Sequence, residues 1–260
     1  MPNSRLILII FYCFFILFLS CNQHKTPDTN DEKNTTIHSE EIKDTIRKVV
    51  LIPEKNNIEK KLEEMGLVKI LDSIPEIIVE LKYASNDNFI GFDFYGELIN
   101  AYSQPECLEK LKNAYYILQE KLPGYTFIIY DAVRSIESQQ LMWDSIKVPE
   151  KNKFWYVADP QKGSIHNYGM ALDLTIADEN GIPLDMGTKF DYFGELAFPD
   201  KTDYFYKNGE LNKDQYENRN LLMSIMKNAG FIVSKTEWWH YNASSLNDAK
   251  NKYKIFSIND

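Results

Sequence analysis

The sequence contains few cysteines, only three among 260 residues. Cys13 and Cys21 lie close to the N-terminus, so Cys107 is the one cysteine in the rest of the chain. Such a small number excludes a disulfide framework as the basis of the fold. Cys107 is at helical spacing with Leu111 and Leu118, which predicts a small buried residue on a helix face rather than a catalytic thiol.

The sequence also lacks an excess of positive charge. It has 29 lysines and arginines against 38 aspartates and glutamates, which gives a formal net charge of -9 at pH 7. Proteins that bind nucleic acid present a clustered excess of lysine and arginine toward the phosphates. The charge balance therefore excludes a nucleic-acid partner.

The apolar run at the N-terminus, residues 6–19, is shorter than the roughly 20 apolar residues that a membrane-spanning helix needs. It follows Arg5, and a positive residue before a short apolar run is typical of an export signal. The run ends in Ser20-Cys21 before polar residues, which resembles a bacterial lipoprotein signal whose cysteine is lipidated and becomes the new N-terminus. Phe18 departs from the leucine that is usual in such signals.

An uncleaved anchor and a plain secretory peptide are the alternatives to lipidation of Cys21. Each of the three places the protein outside the cytoplasm, and lipidation predicts a periplasmic or cell-envelope lipoprotein held to the membrane through its N-terminus. Residues 21–57 are polar and have no sustained apolar period, which predicts a flexible tether. We thus expect a signal peptide over residues 1–20, a tether over 21–57 and one domain over 58–260.

The pattern within this domain mixes helices with short strands. A capping-box pattern at residues 103–106 predicts the start of a helix that Pro123-Gly124 ends. No βαβ repeat is visible, so we predict an α+β domain with a central antiparallel sheet flanked by helices. Other predicted helices cover residues 58–65, 137–146 and 215–228, and predicted strands cover 77–83, 126–130, 171–176 and 231–233. The third strand alternates, which predicts half burial with Asp173 on its polar face.

Histidine is nearly as scarce as cysteine, with four residues in the chain. His24 and His38 lie in the polar leader, so the predicted domain has only His166 and His240. Asp173 follows the first of these histidines, and Glu237 precedes the second. Two imidazoles and two carboxylates are the set that a hydrolytic zinc site needs.

Catalytic zinc takes three protein ligands and leaves a position for water, so His166, Asp173 and His240 are the economical ligand set. Glu237 would then remain free for general acid-base catalysis. By spacing alone, two hydrogen-bonded structural histidines explain the pattern equally well. A regular strand would also point Glu237 and His240 to opposite faces, so a zinc site requires a bulge or a strand end near residues 238–239.

The two stretches contain the patterns Ser-x-His-x-x-Gly-x-Ala-x-Asp at residues 164–173 and Glu-x-Trp-His at 237–240. Both resemble the signatures of the zinc D-alanyl-D-alanine dipeptidases, the group within the peptidoglycan D,D-carboxypeptidases that includes the vancomycin-resistance dipeptidase. The similarity runs from about residue 81 to residue 241. It includes Met-Gly-Thr-Lys-Phe-Asp at 186–191, which resembles the dipeptidase branch.

This resemblance implies one zinc ion per chain on His166, Asp173 and His240, with Glu237 as the catalytic base. It also implies that Arg134 stabilises the oxyanion of the tetrahedral intermediate. Val133-Arg134-Ser135 departs from the Tyr-Arg-Pro of many members, which puts the rigidity of this loop in doubt. Two further residues are candidates for substrate contact or for structural hydrogen bonds, Ser164 and Tyr83.

The resemblance implies hydrolysis of a small D,D-dipeptide, D-alanyl-D-alanine, to two D-alanines. A D,D- or L,D-carboxypeptidase that trims peptidoglycan stem peptides is one alternative. A non-catalytic lipoprotein that binds cell-wall peptides is another, although such a protein would not need Glu237. The sequence sets no oligomeric state.

Overall fold

A five-stranded sheet forms the centre of this computed structural model, which describes residues 56–260. In chain order the strands are β1 (Val68–Lys69), β2 (Ile78–Val79), β3 (Tyr102–Ser103), β4 (Thr126–Asp131), β5 (Ala171–Ala177), β6 (Ile232–Val233) and β7 (His240–Asn242). The central sheet has the order β2-β4-β5-β7-β6, and β1 pairs with β3 in a separate antiparallel ribbon. The α-helices are α1 (Asn57–Glu64), α2 (Pro105–Lys121), α3 (Ile136–Ser145), α4 (Thr202–Lys207), α5 (Lys213–Asn228) and α6 (Leu246–Lys252).

The two central strands carry the core. Every residue of β4 and β5 is buried, and the apolar side chains of α2 pack in the same core, Leu108, Leu111 and Leu118 among them. Cys107 is fully buried on that helix, and burial raises the pKa of its thiol to about 12. The prediction of a buried rather than a catalytic cysteine is therefore confirmed.

The sheet differs from the predicted antiparallel one at its edge. β2 pairs with β4 in parallel, because the chain between them crosses over through α2. The remaining pairs of the sheet are antiparallel. The strand predicted over residues 77–83 is also shorter, because a 3₁₀ turn, Lys82–Ala84, follows soon after β2. The described residues form one domain of mixed α and β structure.

Two further expectations were wrong in detail. β5 is buried on both faces, because Phe190, from the loop that follows this strand, packs against the cluster of Ile128, Tyr130 and Ala177 on the face predicted to be polar. The capping box before α2 does not form, since Gln104 occupies the N-cap position without a side-chain hydrogen bond to the helix. Pro105 begins this helix instead, at the position where its missing N–H costs least.

The signal peptide, Cys21 and all but the last two residues of the predicted tether lie outside the described residues. Within residues 56–260 no helix is long and apolar enough to cross a membrane.

Candidate active site

Strand register brings three acidic or imidazole side chains into one row. Asp173 of β5 lies opposite Asp131 of β4 on one side and opposite His240 of β7 on the other. His166 comes from a 3₁₀ helix, Ile165–Tyr168, that directly precedes β5. Gly169 ends this helix with a φ of 65°, and a Cβ there would lie 2.8 Å from a methyl carbon of Leu67. Glycine therefore suits this turn better than any residue with a Cβ.

Three side-chain atoms meet at the end of this row. His166 Nε2 lies 3.1 Å from His240 Nδ1, and Asp173 Oδ1 lies 2.9 Å from His240 Nδ1 and 3.4 Å from His166 Nε2. Around a tetrahedral zinc ion with bonds of about 2.0–2.2 Å, neighbouring ligand atoms are about 3.3–3.6 Å apart. The three separations come close to this spacing, so the cluster has the dimensions of a zinc site.

The outer ring nitrogens of both histidines face hydrogen-bond acceptors. His166 Nδ1 donates to the carbonyl oxygen of Ala132 at 2.6 Å, and His240 Nε2 donates to Asn242 Oδ1 at 2.8 Å. Each inner nitrogen therefore presents a lone pair toward Asp173. Two lone pairs and a carboxylate oxygen this close repel one another unless a cation lies between them. This arrangement favours a metal site over a pair of purely structural histidines.

Glu237 lies in a turn that leads into β7. The N–H of His240 donates to the carbonyl oxygen of Glu237 at 3.3 Å, so the strand begins only at His240. The strand end required near residues 238–239 is present, and both tryptophans there are buried. Burial raises the pKa of the Glu237 carboxyl to about 8, an effect that His240 opposes and Asp173 increases.

Arg134 is 5% exposed, and all three of its guanidinium nitrogens donate hydrogen bonds. Its Nε and Nη2 donate to Asp131 Oδ2, and its Nη1 donates to Gln139 Oε1 at 2.9 Å. Nη2 also lies 3.8 Å from Asp173 Oδ2, which turns the guanidinium toward the ligand cluster. Ser135 stands where many of the proteins that this sequence resembles have proline. It accepts a hydrogen bond from the N–H of Ser138 and caps α3, so this loop is fixed by other means.

A cavity of about 400 Å³ opens beside these groups. Ser164 Oγ accepts a hydrogen bond from the N–H of His166 at 3.3 Å, and Ser164 lines the cavity. The hydroxyl of Tyr83 donates to Asp191 Oδ1 at 3.0 Å, and its ring lies 5.1 Å from the Arg134 guanidinium. All seven site residues predicted within the described part of the chain line this cavity: Tyr83, Arg134, Ser164, His166, Asp173, Glu237 and His240.

Sequence reasoning missed the role of Asp191, which also lines the cavity. Its backbone has a φ of 58°, which few residues other than glycine adopt, and its Oδ2 is buried without a partner among the described residues. Burial raises the pKa of the Asp191 carboxyl to about 8, although the hydrogen bond from Tyr83 opposes this. The available signal was its place at the end of the segment over residues 186–191.

Asp131 and Asn242 were missed as well. Asp131 is fully buried and accepts hydrogen bonds from the Tyr95 hydroxyl at 2.6 Å and from Arg134. Asn242 orients His240 from two residues further along β7. The contacts with Arg134 and His240 join residues two or three apart in the chain, and neither Asp131 nor Asn242 belongs to a motif that would mark its role.

A family model described as Peptidase M15, D-ala-D-ala dipeptidase, matches residues 63–257. The chain is 34% identical over 175 residues to the D-alanyl-D-alanine dipeptidase of Escherichia coli (strain K12), a match that covers 67% of this chain and 83% of that protein. It is 28% identical over 199 residues to the D-alanyl-D-alanine dipeptidase of Enterococcus faecium, covering 68% and 91% respectively.

Among solved structures, VanYB in complex with D-Alanine-D-Alanine matches 58% of this chain and 76% of that chain. Its identity is 15% and its TM-score 0.32, a likeness too weak to carry a conclusion. The family model, in contrast, covers most of the chain and both of the motifs that build the site. This chain is therefore a peptidase that belongs to the M15 family of D-Ala-D-Ala dipeptidases.

Proposed function

We propose that this peptidase hydrolyses free D-alanyl-D-alanine to two D-alanines, with one zinc ion held by His166, Asp173 and His240. The observation that carries the proposal is the meeting of three ligand atoms 2.9–3.4 Å apart, with both outer imidazole nitrogens already hydrogen-bonded. Zinc bound there would lower the pKa of a coordinated water and polarise the peptide carbonyl.

The other residues of the cavity supply proton transfer and charge. Glu237 accepts a proton from the attacking water and returns it to the leaving amine. Arg134 donates hydrogen bonds to the carbonyl oxygen as negative charge develops on it. Asp131 holds Arg134 in the required direction through two of its nitrogens.

The charge balance of the site favours a substrate with a free amino group. Three carboxylates line the cavity, those of Asp173, Asp191 and Glu237. The lining cations are Arg134, which is paired with the buried Asp131, and Lys235, which is exposed to solvent. When the three carboxylates are ionised, the buried charge that remains is -3, which a divalent metal ion and one ammonium group neutralise. Asp191 Oδ2 has no partner in the described structure, so we assign it to the ammonium group of the dipeptide.

We therefore expect Asp191→Asn to lower kcat/KM for D-alanyl-D-alanine at least about 30-fold, because losing one member of a buried charge pair costs about 2 kcal/mol or more. Most of the loss should be in KM, because the ammonium contact is the same in the substrate and in the transition state. Steady-state kinetics with the free dipeptide measure this effect. An unchanged KM would exclude Asp191 as the ammonium site.

A second expectation concerns Asn242. Asn242→Ala should weaken zinc binding by about 10- to 100-fold, the usual cost of removing a partner that orients a metal-bound histidine. Asn242→Asp keeps an acceptor oxygen at the same place and should retain the zinc. Competition with a chromogenic chelator measures both affinities, and equal affinities for the alanine variant and the wild type would contradict the role of Asn242.

The proposed substrate is tested by release of D-alanine from D-alanyl-D-alanine and from its N-acetylated form, each with and without a chelator. Chelator-sensitive cleavage of the free dipeptide alone supports the dipeptidase. Efficient cleavage of the acetylated form would show that the protein is a carboxypeptidase instead. Cleavage of neither would support a protein that only binds cell-wall peptides.

We also propose that the protein is exported and anchored through lipid on Cys21, as the N-terminal sequence predicts. Cys21→Ser should abolish incorporation of labelled palmitate and move the protein from the membrane fraction to the soluble fraction. A variant that fractionates and labels like the wild type would contradict the lipid anchor.

A further inference from the structure

Arg219 is a buried arginine of α5 that lies outside the groups described above. Its side chain is 3% exposed, and no carboxylate among the described residues forms an ion pair with it. Its Nε donates to the carbonyl oxygen of Met186 at 2.5 Å, and its Nη1 donates to that of Leu196 at 2.7 Å. Burial lowers the pKa of Arg219 to about 10, with Asp185 opposing, so the guanidinium stays charged at neutral pH.

The two carbonyl oxygens mark the ends of one loop. Residues 187–195 lie between Met186 and Leu196, and Asp191 is in the middle of this stretch. One guanidinium therefore bridges the start and the end of the loop that carries Asp191, whose Oδ2 has no partner among the described residues.

The same face of α5 makes further bonds to this segment. Gln215 Nε2 donates to Asp185 Oδ2 at 2.8 Å, and Asn218 Nδ2 donates to the carbonyl oxygen of Asp185 at 2.9 Å. Positions 215, 218 and 219 share one helix face because they are three and four residues apart. Arg219 is the member of this set that reaches both ends of the loop.

A buried charge without a counter-ion is costly, and an apolar side chain would fill the same place more cheaply. The hydrogen bonds to the loop are what the arginine adds. Asp191, at a φ of 58°, needs such support, because a strained backbone persists only where the surrounding structure fixes it.

We propose that Arg219 is a positioning residue that sets the preference for a free amino terminus, by holding both ends of the loop that carries Asp191. This inference rests on the role of Asp191 in the proposed function. Arg219 touches neither the substrate nor the metal ligands, and it acts through the backbone at Met186 and Leu196.

The first test measures the loop itself. Amide hydrogen exchange in Arg219→Met should be at least about 10-fold faster over residues 187–195, since exchange rates report local opening. Lys227→Met is the matched control, because it removes an exposed cation from the same helix, and it should leave the loop unchanged. Unchanged exchange rates over residues 187–195 in Arg219→Met would overturn the proposal, whether or not Asp191 binds the ammonium group.

The second test measures specificity. Arg219→Met should raise KM for D-alanyl-D-alanine about 10-fold with kcat within about twofold. The inhibition constant of N-propionyl-D-alanine, which is the dipeptide without its amino group, should stay unchanged. If Arg219 had a purely structural role, its replacement would weaken the binding of the dipeptide and of N-propionyl-D-alanine alike. That result would overturn the proposal. Arg219→Lys keeps the charge but has one nitrogen for two carbonyl groups, so we expect an intermediate KM.

A double-mutant cycle links the two residues. If Arg219 acts through Asp191, the double variant Arg219→Met with Asp191→Asn has the KM of Asp191→Asn alone. If the increases in KM of the two single variants multiply in the double variant, the proposal is overturned. A different outcome is faster loop exchange in Arg219→Met together with an unchanged KM in Asp191→Asn. That combination would overturn the ammonium role of Asp191, and the specificity role of Arg219 with it. If Arg219→Met does not fold, Arg219→Lys provides the same measurements.

Discussion

Replacing Glu237 by glutamine lowers kcat for D-alanyl-D-alanine by about 10²- to 10⁴-fold, the range expected for loss of a general acid-base group. Glutamine has the same shape and fits the turn before β7, but it cannot take a proton from water. Glu237 is not one of the three residues whose atoms form the ligand cluster, so the variant should keep one zinc ion per chain.

The measurement combines steady-state kinetics with metal analysis on the same preparation. Glu210→Gln is the matched control, because Glu210 is exposed, and it should retain full activity. Loss of zinc in Glu237→Gln would show that Glu237 is a ligand and would contradict the assignment. Retention of both zinc and activity would show that another group moves the proton.

Replacing His240 by alanine removes both the metal and the activity. This side chain supplies one of three ligand atoms and lies 2.9 Å from Asp173 Oδ1, so two ligands would remain. We expect zinc content to fall well below one ion per chain after dialysis, and kcat/KM to fall at least about 10³-fold, because the attacking water and the carbonyl both lose their activation.

Metal analysis after dialysis against a weak chelator measures this effect. His38→Ala is a matched control, since His38 lies in the polar leader, and it should keep its zinc. Unchanged zinc content in His240→Ala would show that the two histidines of the domain are structural.

The sequence predicts the strands of the core well, because the apolar runs of β4 and β5 are local signals. The parallel pairing of β2 with β4 has no local sequence signal, since it depends on how the chain crosses over through α2. The burial of β5 on its second face depends on Phe190, which comes from the loop that follows this strand. Such contacts leave no periodicity in the strand itself.

The same distinction applies to the site. His166, Asp173, His240 and Glu237 follow from two short motifs, and the structure brings all four to one cavity. The unpartnered oxygen of Asp191 follows from a positive φ and a buried position, which are tertiary properties. Residues that orient others by hydrogen bonds across strands or loops therefore had to be found in the structure.

We propose that one zinc ion on His166, Asp173 and His240 makes this chain a dipeptidase. This proposal is tested by titration of zinc into the metal-free protein, with D-alanine release from D-alanyl-D-alanine as the readout. We expect activity to rise linearly with added zinc and to reach its maximum at one equivalent. Activity that is complete in the metal-free protein, or that never appears at any zinc concentration, would contradict it.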